Sequence, residues 1–383
     1  AQAQWDLKGS ASARETWADN VDYSSVANSD PNSKAGPTGD ALSSIDLAGI
    51  ALYEAARWHF SGNYSARGAL YRDRTELNRV SHQGSLRSDW DLSRTTRLRF
   101  ADSFQYTPDQ GVNTNNVQSP VVITDYSSRR GNSARLELQN QLSGVSTFTT
   151  MVQHQFQSFA NPDLADYAGS SGEIRWVRET GSGGGFDLDA TLAYYRFSRR
   201  LAPDPNSGLP ARTDHTGNRS NTLAAGGHVR LGRRFTGRAL LGYDLVFPDR
   251  ADRPTGRGFH TQTSIQWRGD HLQTDTGYYR TLSAGSGTFS VSWTETWFAS
   301  LVASMGRRLK GNLYLNRSYS EGVGGRPGNG VLTNSGHASL DVALNTALSG
   351  LISFSRSVQS VDSRSASNIT FDRYTIGLVA RFD

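Results

Sequence analysis

The closing stretch of the chain, Arg373-Tyr374-Thr375-Ile376-Gly377-Leu378-Val379-Ala380-Arg381-Phe382, alternates without a break. Tyr374, Ile376, Leu378, Ala380 and Phe382 share one parity; Arg373, Thr375, Gly377, Val379 and Arg381 share the other. Successive side chains of a strand point to opposite faces, so this stretch reads as a strand with one apolar face and one polar-to-mixed face. The same period of two recurs upstream. From Phe186, the set Phe186, Leu188, Ala190, Leu192 and Tyr194 opposes Asp187, Asp189, Thr191 and Ala193. From Phe235, the set Phe235, Gly237, Ala239, Leu241, Tyr243, Leu245 and Phe247 opposes Thr236, Arg238, Gly242 and Asp244. Phe259, Thr261, Ile265 and Trp267 oppose His260, Gln262, Ser264 and Gln266; Ala338, Leu340, Val342 and Leu344 oppose His337, Ser339, Asp341 and Asn345. A helical period of 3.6 fits none of these.

Composition sharpens the reading. Only 36% of the 383 residues are hydrophobic, and long apolar clusters are scarce. The most apolar run, near Leu47 to Tyr53, falls far short of the ~20 residues that a membrane-spanning helix needs. A closed barrel in a membrane needs only every second strand residue to be apolar, and its lumen can be wet, so low hydropathy is what such a chain should show. Cysteine is absent. That excludes disulfides, a thiol nucleophile, cysteine-held clusters and covalent c-type haem within the chain. Ala1-Gln2-Ala3-Gln4 carries no basic region followed by an apolar run and is expected to be a mature end left by signal-peptide removal.

The terminal strand resembles the closing strand of Gram-negative outer-membrane β-barrels, of the porin-like kind. In that family the assembly machinery reads polar, any, glycine, any, any, apolar, any, aromatic; Thr375, Gly377, Ala380 and Phe382 match position by position, with Asp383 following the aromatic. The resemblance implies an all-β fold: a closed antiparallel transmembrane β-barrel with short periplasmic turns and long extracellular loops. It also implies location in the bacterial outer membrane with both termini periplasmic, and contact with lipid, lipopolysaccharide and the barrel-assembly machinery.

The chain reads as a single barrel domain over residues 1–383, without a repeated motif. Short turns are expected at His59–Asn63, Ser93–Thr96, Ser143–Val145, Gly181–Gly185, Gly232–Arg234, Gly269–His271, Arg307–Lys310 and Ser349–Gly350. Long polar connections are expected at Asp19–Leu42, Asp73–Asn78, Pro108–Ser128, Asn161–Tyr167, Arg200–Asn218, Pro248–Gly256, Ala284–Ser290, Glu321–Gly330 and Gln359–Ser367. Eight turns and nine loops join about 18 strands. Trp5, Trp17, Trp58, Trp90, Trp267, Phe235, Phe247 and Phe382 fall near strand ends, where amphipathic rings suit the two headgroup levels.

Three of the 40 basic residues are lysine (Lys8, Lys34, Lys310), leaving 40 − 3 = 37 arginines at a net charge of +5. The arginine excess fits either a GC-rich genome or guanidinium groups that line a pore or meet lipopolysaccharide phosphates. Inward parity collects Arg67, Arg87, Arg97, Arg99, Arg135, Arg175, Arg230, Arg238, Arg373 and Arg381 with Asp89, Asp91, Glu137, Glu173, Asp187, Asp189, Asp244, Asp275 and Asp341. These charges either select and guide solutes or pair across strands and stabilise the wall. Asp102, Glu295 and Arg317 fall on the apolar parity, where a midplane position would be costly. In porins of this general kind the third outer loop narrows the channel, which makes Asp109, Asp125 and Arg129 candidate constriction groups.

The leading function is a passive channel for hydrophilic solutes, without a plug domain, since strand patterning begins at Trp5. One alternative is a conduit for exopolysaccharide export, because Arg14–Val21 and Asp102–Asp109 look similar to stretches in barrels of surface-polysaccharide clusters. Another is a sheath around a periplasmic or lumenal protein partner such as a multihaem cytochrome. No catalytic constellation, metal-ligand spacing or cofactor motif stands out, the eight histidines are scattered, and dispersed charge argues against nucleic acid.

Overall fold

The computed structural model describes residues 4–21, 39–107, 128–160, 165–181, 183–201, 212–249, 255–284, 291–323, 330–361 and 368–382. The described strands are β1 (Gln4–Ala18), β2 (Asp40–Glu54), β3 (Trp58–Tyr71), β4 (Arg79–Asp91), β5 (Thr96–Thr107), β6 (Arg129–Ser143), β7 (Ser146–Phe159), β8 (Asp166–Thr180) and β9 (Gly184–Leu201). They continue as β10 (Arg212–Leu231), β11 (Phe235–Pro248), β12 (Gly256–Arg268), β13 (Leu272–Ala284), β14 (Val291–Met305), β15 (Leu309–Gly322), β16 (Val331–Ala343), β17 (Leu348–Val361) and β18 (Asn368–Phe382). Each pairs antiparallel with its sequence neighbours, and β1 pairs with both β2 and β18. The 18 strands therefore form one closed barrel, as the alternation predicts.

The seam between β1 and β18 runs from Gly9 opposite Phe382 to Ala18 opposite Arg373. Two residues just past β1 fasten its upper end. The Asp19 carboxylate accepts from the Asp372 amide at 2.7 Å, and the Asn20 side-chain amide donates to the Thr370 carbonyl at 2.9 Å. The Asp19-Asn20 pair within the Arg14–Val21 stretch thus has a local role in holding the ends of the chain together.

The short connections gather at one end with Gln4 and Phe382, and the longer ones gather at the other. Gly232 and Gly306 sit in the turns after β10 and β14 with φ of 70°, a conformation that Cβ-bearing residues rarely adopt. Most turns fall where expected, with two corrections. The first lies at 55–57, and His59–Asn63 is strand. Ala55-Ala56-Arg57 carries no glycine or proline to mark it, whereas Asn63 and Gly62 mimic turn chemistry inside β3. The last lies at 344–347: Asn345 accepts from the Ala347 and Leu348 amides at 2.8 and 2.7 Å, and β16 stops before Leu344. The polar stretch expected as a loop from Arg200 to Asn218 instead contains the first residues of β10.

Outward parity carries the apolar set. Leu192, Leu241, Phe259, Ile352 and Ile376 are all well exposed on the convex surface. Aromatic rings bracket this belt. At the turn end, Trp5 meets Tyr53 at 4.8 Å, Tyr53 meets Trp58 at 4.9 Å, and Phe235 meets Trp267 at 6.4 Å. Towards the loop end, Trp17, Tyr374 and Phe354 form a row, and Tyr278 packs on Trp297 at 4.4 Å. The outward charges are partnered or peripheral. Asp102 accepts from Asn132 at 3.1 Å, and Glu295 lies 3.5 Å from Arg280. Glu295 and Arg317 stand within five residues of the loop-side ends of β14 and β15, and Asp102 stands five before the end of β5.

Inside the loop end, an apolar cluster of Ala18, Leu42, Ala69, Tyr71 and Phe371 is joined by Val21 and by Leu77 from the β3–β4 connection. Asp40 fixes that connection, its carboxylate accepting from the Ala41 and Arg74 amides at 2.7 and 3.0 Å. Replacing Asn20 by Ala, which strands the Thr370 carbonyl at the seam, is expected to cost about 1–3 kcal/mol. A lowered transition temperature for loss of the compact band in unheated gel electrophoresis measures it.

Candidate functional site

The concave wall follows from parity and register. In β4 to β6, Asp89 lies opposite Arg99, and Arg99 lies opposite Glu137. Directly opposed side chains on one face are close neighbours, so acids and bases placed there pair across strands. Arg87 and Arg99 both hold Asp89, at 2.7 and 2.6 Å. Arg99 also reaches Glu137 at 2.8 Å, and Arg135 reaches the other Glu137 oxygen at 2.5 Å. Arg97 pairs with Asp91 at 2.7 Å. The result is a band of alternating charge across three strands. Glu137 is buried between its two arginines, while Arg87, Arg97 and Arg135 keep about half of their side-chain surface exposed (50%, 48% and 45%).

A second group spans β8 to β12. Arg175 lies 3.6 Å from Asp189. Arg238 holds the buried Asp187 at 3.0 Å, and His228 approaches the same carboxylate at 3.5 Å and Glu179 at 3.1 Å. Asp244, fully buried, accepts from Thr222 and faces His260 at 3.3 Å. Apart from this group, on β15 and β16, Asp341 accepts from Asn312 at 3.4 Å. Scattered in sequence, His228 and His260 become neighbours of carboxylates because register sets each beside an aspartate on the same parity.

A third group lies on the seam. Asp46 stands between Arg14 and Arg67, at 3.6 and 3.5 Å, and accepts from Ser12 at 3.0 Å. Arg67 also donates to Ser44 at 3.1 Å. Arg373 stacks on the Phe371 ring at 4.8 Å. The candidate wall residues Arg67, Arg87, Arg97, Arg99, Arg135, Glu137, Arg175, Asp187, Asp189, Arg238, Asp244 and Asp341 are thus distributed over these groups rather than gathered at one point. Sequence reasoning passed over Arg14 and Asp46. Their parity was available: Arg14 alternates with Ala13 and shares a face with Ser10, Ser12 and Thr16, while Asp46 sits between Ile45 and Leu47.

Asp109 and Asp125 lie outside the described residues. Arg129 opens β6 at the loop end, opposite Thr107 and Phe159. In the closing strand, Thr375 bonds Thr16 at 3.0 Å across the seam, Phe382 ends the ladder on the convex side, and Gly377 faces Arg14. A Cβ on Gly377 would stand 2.7 Å from the Arg14 side chain, so the glycine makes room for that arginine to cross the seam.

No family model matches the chain, and no curated protein matches it. Solved barrels do resemble it in shape. They include OccAB3 of Acinetobacter baumannii (11% identity, TM-score 0.47, covering 98% of this chain and 100% of that one). They also include the FrpB iron transporter of Neisseria meningitidis (6% identity, TM-score 0.48, covering 98% and 81%) and the siderophore receptor PirA of Pseudomonas aeruginosa (9% identity, TM-score 0.43, covering 98% and 80%). Identities this low carry no residue roles across.

Truncating Glu137 to Ala leaves Arg99 and Arg135 facing each other without their shared carboxylate. Because both arginines are partly hydrated, the expected loss is about 1–3 kcal/mol rather than the larger cost of a fully buried pair. Urea unfolding from detergent micelles measures it, with the Arg97→Gln variant expected to stay within about 0.5 kcal/mol, as a more exposed pair should.

Proposed function

We propose that this chain is a channel of the bacterial outer membrane that passes small hydrophilic solutes passively along its charged concave wall. The observation that carries the reading is the opposition of its two surfaces. The convex one is an apolar belt between two aromatic rows; the concave one carries the arginine, aspartate and glutamate groups. A soluble protein that exposed Leu192, Leu241, Phe259, Ile352 and Ile376 together would aggregate. In hydrocarbon the same surface is the stable one, and a closed ladder leaves no backbone group unpaired there. The turn end then faces the periplasm and the loop end faces outward, as is usual for bacterial barrels.

Paired charges suit passage. A lone ion in a narrow lumen would bind a counter-charge tightly and hold it. Guanidinium groups already engaged with a carboxylate, yet half exposed, offer a passing polar solute weaker and repeated contacts. The acids tether the arginines and limit their pull.

Two measurements check the reading. Reconstituted into planar bilayers, the protein is expected to give discrete conductance steps; an intact, heat-modifiable barrel that never conducts would overturn the channel assignment. Position-specific substitution tests the membrane face. Val152→Arg puts a cation on the exposed convex surface near the middle of β7 and is expected to destabilise by about 2–4 kcal/mol. Gln155→Arg, on the concave parity of the same strand, should cost less than about 1 kcal/mol. Equal effects in lipid refolding titrations would remove the basis for assigning the convex side to lipid.

A further inference from the structure

Between the apolar cluster at the loop end and the middle of the barrel, the seam forms a half-open cavity of about 300 Å³. Its wall brings together Arg14 of β1, Arg67 of β3, Arg373 of β18 and His337 of β16, with Ser355 and Ser357 of β17. Phe371 closes one side and belongs to the apolar cluster above. This volume sits at the small end of ligand-sized cavities.

The charge balance here differs from that of the rest of the wall. In the β4–β6 band, arginines share carboxylates at hydrogen-bonding distance. Four arginines line the seam cavity: Arg356 is met by Asp372 at 3.6 Å, and of the other three, Arg14 and Arg67 stand 3.6 and 3.5 Å from the single carboxylate of Asp46. Among the described residues no carboxylate lies within ion-pair range of Arg373. Three polar atoms here are buried without a hydrogen-bond partner: Arg14 Nε, Arg373 Nε and Ser357 Oγ. Buried donors are normally satisfied; Arg14 Nε stands 3.6 Å from Asp46, beyond hydrogen-bonding distance, so the seam arginines are less fully engaged than those of the β4–β6 band. Guanidinium forks and hydroxyls match the geometry of carboxylate and phosphate oxygens. The phenyl face of Phe371, 4.8 Å from the Arg373 guanidinium, holds that fork in place without neutralising it.

We infer that this cavity is a binding station for small oxyanions, the carboxylate or phosphate group of a hydrophilic solute, held by Arg14, Arg67 and Arg373. Gly377 is part of the device, since any side chain there would push Arg14 away. The station deepens the channel reading by naming the class of cargo; transport rests on that reading, whereas binding does not.

The test separates the two. Isothermal titration of the detergent-solubilised barrel uses inorganic phosphate in one arm and succinate in the other. Saturable binding of at least one is expected. Arg14→Gln combined with Arg373→Gln should weaken it at least tenfold, and Arg373→Lys, which keeps the charge, should recover part of the loss. Arg233→Gln combined with Arg234→Gln removes the same charge at the turn end and should leave affinity within twofold. All variants are first checked for heat-modifiable gel mobility. The inference is overturned if neither anion binds, if the seam variant binds like the parent, or if the turn-end variant loses as much. In bilayers, the anion that binds should reduce the chloride current in the parent and not in the seam variant. Arginine-dependent binding in a barrel that carries no current would keep the station and refute the channel.

Discussion

Everything in this structure depends on one constraint: each backbone N–H and C=O in the wall must find its partner in a neighbouring strand. An open sheet of this length would present two bare edges, which water tolerates and hydrocarbon does not. The pairing of β1 with β18 removes both edges at once. Once the hoop is closed, alternation does the rest, sending every second residue of every strand to the same side. The barrel therefore needs no conventional core among its strands. Most of its apolar content lies on the convex surface, with small clusters inside the loop end, which is why so modest a hydrophobic fraction suffices for so long a chain.

Closure also explains the character of the concave wall. Register places residues that are far apart in sequence directly opposite one another, and the ion groups are read from register rather than from motif. Arg99 meets Asp89 and Glu137 because β5 lies between β4 and β6 with those residues in line. Thr294 and Thr296, paired with Ser320 and Ser318, show the same logic in neutral form, each hydroxyl satisfied by the one across from it. The wall is uneven, with its ion pairs concentrated on β1 to β12 and paired hydroxyls on β14 and β15.

Much of this was legible in the amino-acid sequence because a period of two is local information. Strand number, the face of Asp187 and Asp189, and the end positions of Trp5, Trp58 and Phe382 all follow from counting parity between turns. The misplaced first turn shows the limit of that method: Ala55-Ala56-Arg57 bends without glycine, proline or asparagine, so no chemical mark separates it from strand. Leu240 and Val246 show another limit. They lie on the concave parity and are buried, at 2% and 1% exposure; Val246 packs with Phe197 and Val291 near the loop end. Parity gives the side on which a residue lies, and not what covers it. The seam cavity was the least legible part. Its walls come from β1, β3, β16, β17 and β18, and nothing in the local pattern of any one strand reveals that the first and last meet.

That last meeting has a consequence for biogenesis. Arg14 and Arg373 lie on β1 and β18, far apart in sequence, and they become neighbours only when those two strands pair. A sheet not yet closed thus lacks the cavity that Arg14, Arg67 and Arg373 line together. Gly377, whose missing side chain admits Arg14, lies on the strand that makes this closure. A single residue choice on the last strand thereby shapes the electrostatics of the finished hoop.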